Sequence, residues 1–233
     1  MTKSMLELAL DRTHAGVQAL AAPAHAPEAD RSDRRHETDW FYAITAQHLA
    51  AAGDVLLPHI RRLPGGRGHV TAYVRHVRTL ECALRLLKAR QYGDSRAQHL
   101  RHSDVWRVID RMLADHELLE AKYVRLLGAK LDSALIDKLA MELHTAEQIA
   151  PTRAHPHSPH TGRTGRLAHR MWRIADTTWD DLEGRVIPTT YAQHPQRDSA
   201  FSLYLRGGQV PLPTVPPVVL SQLPPVVSQN QIS

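Results

Sequence analysis

Apolar residues recur at intervals of three and four along most of the first 185 positions, in stretches separated by proline, glycine and polar clusters. That spacing is the mark of amphipathic helices rather than strands. It predicts a first helix over 4–22, with Ser4 as N-cap and Pro23 and Pro27 as its stop, and a second over 34–57, ended by Pro58 and a turn at Pro64, Gly65 and Gly66. A third helix is expected over 69–92, closed by Gly93, and a fourth from a cap at Ser103 and Asp104 to Gly128. In the fourth, Val105, Ile109, Met112, His116, Leu119, Tyr123 and Leu126 keep the strongest periodicity of the chain. A fifth helix over 133–149 starts with a Ser133 cap, and a sixth over 165–184 places Leu167, Met171, Ile174 and Leu182 on one side with Trp172 and Trp179 at the edge. The expected fold is all-α: a four-helix bundle over 1–130, two flanking helices with a His/Pro loop over 131–185, and a flexible proline-rich tail over 186–233.

The four bundle helices each carry a histidine where an apolar residue is expected. His14 follows Leu6 and Leu10, and His48 follows Phe41 and Ile44. His76 adjoins the stripe of Val70, Tyr73, Val77, Leu80 and Leu84, and His116 lies inside that of the fourth helix. An inward imidazole needs a partner, and the economical ones are a carboxylate, a backbone group or a metal ion. His116 and Glu120, four apart, point the same way from adjacent turns and offer nitrogen and oxygen ligands together. Such a pair is also an ordinary helix stabiliser, so core histidines bonded to backbone or to Glu120, Glu81 and Asp54 are the competing account.

Composition narrows the classes. Hydrophobic residues make up 42% but aromatics only 5%, which favours helix packing over a sheet sandwich. The single cysteine, Cys82, excludes an internal disulfide and a thiolate zinc site, in keeping with a reducing cytoplasm. Neither a secretory signal nor a transmembrane span is expected, and no membrane partner. A net charge of +5 permits contact with phosphates without demanding it. Arg163, Arg166, Arg170 and Arg173 follow one another at helical spacing, yet such a face usually keeps a helix solvated, and nucleic acid is the disfavoured partner. His155, His157 and His160 alternate with prolines in a loop without a carboxylate, which suits a turn or helix-docking role better than metal binding.

The chain resembles the hemerythrin-like, or HHE cation-binding, domains. The resemblance rests on Asp11-Arg12-Thr13-His14, on His48 ten residues before Pro58, on His76, and on His116-Glu117-Leu118-Leu119-Glu120. It covers about the first 130 residues, and the segment around His155 with the last long helix looks like the C-terminal extension of actinobacterial members. The resemblance implies an up-down four-helix bundle and one or two non-haem iron ions held by His14, His48, His76, His116 and Glu120, binding or sensing oxygen, nitric oxide or peroxide. Ala52 stands where a glutamate follows the second histidine in the family, and His76 lacks a second histidine four residues away, so the ligand set is degenerate. No catalytic residue is assigned. A metal-free bundle acting on a protein partner through its last helix and tail is the alternative.

Overall fold

The structure is a computed structural model that describes residues 3–25 and 31–183. The tail expected over 186–233 lies outside them. Among the described residues there are six α-helices and no strand: α1 (Met5–His25), α2 (Arg31–Ile60), α3 (Gly66–Gln91), α4 (His102–Gly128), α5 (Ser133–Ile149) and α6 (Gly162–Glu183). None of these helices is long and apolar enough to cross a membrane.

The helix ends follow local chemistry. At the start of α1, Glu7 N–H donates to Ser4 Oγ (3.2 Å) and Ser4 N–H to the Glu7 carboxylate (2.7 Å), a reciprocal capping box. The prolines do not stop the first two helices where expected. α1 continues to His25, and α2 takes Pro58 into its last turn and closes with Arg61 N–H on Leu57 O at 2.9 Å. A proline near a helix end forfeits one hydrogen bond there without reversing the chain direction.

The turn into α3 depends on Gly66. A Cβ at that position would sit 2.4 Å from the Ile60 carbonyl oxygen and 2.5 Å from that of Arg61, closer than any side chain tolerates. At the other end of α3, Gly93 adopts φ 82°, with Gly93 N–H on Arg90 O and Asp94 N–H on Ala89 O, the paired bonds of a Schellman stop. The cap of α5 is Asp132 rather than Ser133, its carboxylate accepting Leu135 N–H at 2.8 Å. Asp132→Ala is expected to lower stability by about 1 kcal/mol, read as a shift of the urea midpoint, whereas Ser133→Ala should leave it unchanged.

Helices α1 to α4 close a ring in which each packs on the next and α4 returns to α1. Their shared core holds Leu6, Leu10 and Val17, then Phe41, Leu49 and Leu56, then Val77, Leu80 and Leu84, then Ile109, Leu113 and Leu127. α5 lies along α1 and α2 and buries Ile136, Leu139 and Leu143 against them.

α6 docks with its polar side. Asp176 and Asp180 are buried, while Leu167, Met171 and Ile174 are each at least 60% exposed. The apolar pattern predicts the opposite orientation. The reversal follows from what residues 152–158 offer. Arg153 meets Asp180 at 2.9 Å, Thr152 donates to Asp180, and His155 Nε2 lies 3.2 Å from both Asp176 oxygens. His155 also stacks on Trp172, whose indole N–H donates to Ser158. Paired charges with this many partners tolerate burial. Of the loop histidines, His155 thus docks the last helix, while His157 is left exposed.

Candidate metal centre

Helical spacing brings three of the inward histidines to one carboxylate. His14 lies one turn beyond Leu10 on α1, His48 one residue before Leu49 on α2, and His116 two turns after Ile109 on α4; Glu120 follows His116 by one turn. His14 Nε2–H donates to Glu120 Oε2 at 2.9 Å, and His48 Nε2–H donates to the same oxygen at 3.1 Å. Tyr73 of α3 donates its hydroxyl to Oε1 at 2.8 Å. One ligand atom from each of His14, His48, His116 and Glu120 lies within 4.8 Å of the others, a spacing that can hold a metal ion. Glu120, His116 and His48 are buried, and His14 forms the partly exposed edge of the group.

His116 differs from its neighbours. Its Nε2 is 3.2 Å from Glu120 Oε1, but neither ring nitrogen is aligned for a hydrogen bond. Both are buried, which is costly for a polar group unless a partner completes it.

His76 stands outside the cluster. Its Nε2–H donates to the Met112 carbonyl at 3.1 Å, while its ring stacks on His116 with centroids 5.5 Å apart. It flanks the inward stripe of α3, whose central position here belongs to Tyr73. The other carboxylates named for the histidines have gone elsewhere. Glu81 Oε2 lies 2.9 Å from His160, and Asp54 accepts from His169 Nδ1 at 2.9 Å. Ala52 is buried in the core.

Sequence reasoning passed over Glu147. This α5 residue accepts His48 Nδ1–H at 2.8 Å and the Thr13 hydroxyl at 3.2 Å. The available signal was its place one turn beyond Leu143, on the stripe that also carries Ile136 and Leu139. With both nitrogens donating to carboxylates, His48 is held in one orientation between two elements.

The charges follow from this geometry. Burial alone would push the His48 imidazole down, but Glu120 and Glu147 reverse this and raise its pKa to about 10. Glu120 is also buried, which would raise its carboxyl, yet His116, His48 and His14 hold it well below the ordinary range. Burial lowers His116, with His48 and His14 adding to the effect against the pull of Glu120, and burial and His116 lower His76. Burial and the adjacent Glu120 push the Tyr73 phenol well up, so it remains a hydrogen-bond donor. The arrangement is one deeply buried anion shared by three imidazoles and a phenol, with a second carboxylate steadying one imidazole from behind.

No family model, curated protein or solved structure matches the chain.

Proposed function

We propose that this is a hemerythrin-like metal-binding protein with a reduced ligand set, holding one non-haem iron through His14, His48, His116 and Glu120. The observation that carries the reading is His116, a buried imidazole with no aligned hydrogen bond at either nitrogen, its Nε2 3.2 Å from the carboxylate that the other histidines share. The donor set fits a borderline metal such as iron, for which imidazole and carboxylate are suitable ligands. A single ion suits the cluster better than a pair, because Ala52 and the engagement of Asp54 by His169 leave no second bridging carboxylate.

The reading treats the ring of α1 to α4 as the hemerythrin-like up-down bundle and α5 with α6 as additions to it. A bound iron would supply a centre that takes a small ligand such as oxygen, nitric oxide or peroxide. The protein's own part is to fix the imidazoles. Glu147 orients His48 from behind, as a carboxylate does for many metal-bound histidines. Tyr73 steadies Glu120, and His76 packs behind His116. A reducing cytoplasm accords with one exposed cysteine.

One observation favours a metal-free interaction module instead: Glu120 alone already satisfies His14, His48 and Tyr73. Metal content of tag-free protein, measured by plasma mass spectrometry after iron-supplemented expression, separates the two. The expected result is about one iron per chain in the wild type, lost in His116→Ala and kept in a His155→Ala, His157→Ala double variant. Metal lost only with the loop pair would move the site to the surface. Absence of metal from every sample would leave the interaction module.

A further inference from the structure

A cleft of about 850 Å³ opens between α3 and the segment that leads into α6. Its wall carries Arg61, just after α2, and Arg67, Arg75 and Arg78 of α3. A smaller cleft of about 240 Å³ shares Arg61 and His160 with it and adds Arg62 and Arg166. No acidic residue lines the larger cleft, and in the smaller one Asp54 is already engaged by His169.

These arginines have no carboxylate partner. The arginine ion pairs among the described residues involve Arg101, Arg107 and Arg153 instead. Grouping like charges around one concavity raises its potential, and a low-dielectric wall focuses it. The start of α6 lies at the same wall through Thr161 and Thr164, and its first turn holds no acidic residue, so the helix adds its partial positive charge. His160 also lines the cleft, buried, with its Nε2 2.9 Å from Glu81 Oε2. With His160 held by Glu81, the positive potential of the cleft comes from its arginines and the start of α6.

We infer that this cleft binds a small molecule carrying two or more phosphate groups. Its volume falls in the range of small-molecule sites, and guanidinium forks match phosphate oxygens in pairs. A single phosphate would leave most of this charge uncompensated, whereas a linear polyphosphate can meet several arginines at once. The concave shape favours such a ligand over a polynucleotide, which would track a longer surface.

The test uses the full chain at physiological salt, with inorganic triphosphate, adenosine triphosphate, inorganic phosphate and a short DNA duplex as calorimetric probes. Triphosphate, free or on the nucleoside, should bind once per chain and at least tenfold more tightly than phosphate. Affinity should drop at least tenfold in an Arg75→Ala, Arg78→Ala double variant of unchanged helicity and remain unchanged in Arg111→Ala, which alters an exposed arginine of α4. Failure of triphosphate to bind the wild type, equal binding by the double variant, or preference for the duplex would each overturn the assignment. Because none of these readouts uses metal, their outcome is independent of the iron reading.

Discussion

Replacing Glu120 with alanine is expected to abolish metal binding and to destabilise the protein by about 3–5 kcal/mol, the range for breaking a buried charge cluster by removing one partner. Two effects add. The Tyr73 hydroxyl loses its acceptor, and His14 and His48 lose the acceptor of their Nε2–H groups, all in a region that water does not replace easily. The imidazolium of His48 also loses the carboxylate that raises its pKa most, leaving Glu147 alone to offset its burial. Glu120→Gln is the informative companion, since it keeps the volume and an acceptor for one donor while removing the anion. It should fold with a smaller loss and still fail to hold metal. Urea midpoints and metal content of the two variants check this, and a wild-type midpoint in Glu120→Ala would show that the cluster contributes nothing to stability.

In the metal-free protein, stability should peak near pH 6.5 and fall on either side. His48 has a folded pKa of about 10, above its unfolded value near 6.5, so its contribution is complete below about 6.5 and lost as pH rises through 10. Glu120 is depressed, so its contribution is present above its unfolded value near 4.5 and lost as pH falls through the lower folded value. His116 and His76 are held neutral by burial; protonating them below about 6.5 favours the unfolded chain. Metal binding reverses the alkaline limb. An imidazole must give up the proton on its coordinating nitrogen, so iron competes with the His48 proton and gains about tenfold in affinity per pH unit until that proton is gone. Thermal melts from pH 5 to 10 should therefore show a falling Tm above neutrality for the metal-free protein and a metal-induced rise in Tm that widens over the same interval. A flat metal-free profile above pH 7 would mean that His48 is not clamped as an imidazolium, and His48→Gln should produce such a profile deliberately.

Local pattern was enough for some of this architecture. The period of three and four located all six helices, and α5 ends where its apolar stripe ends, at Ile149. The same period put His14, His48, His116 and Glu120 on inward faces, because a side chain's face depends on spacing within its own helix. What spacing cannot supply is the rotation of one helix against another. His76 sits one position from the centre of its stripe, and that step turns it to the Met112 carbonyl. Glu147 becomes a partner of His48 only because α5 docks on α1 and α2, which spacing within α5 does not show. α6 was the largest inversion. Apolar pattern assigns its buried face correctly only when the receiving surface is apolar, and here it is a loop presenting Arg153, His155 and Thr152.

That inverted docking gives the protein two kinds of attachment with different temperature behaviour. The ring of α1 to α4, with α5 along it, is joined through hydrocarbon, and separating such surfaces raises the heat capacity and weakens with cooling. Freeing α6 would hydrate Asp176, Asp180, Arg153 and His155, while Leu167, Met171 and Ile174 already face outward. Polar hydration lowers the heat capacity, so this joint carries a small or opposite increment. Cooling loosens the core contacts without loosening the α6 joint, whereas added salt screens the α6 ion pairs and leaves the core contacts in place.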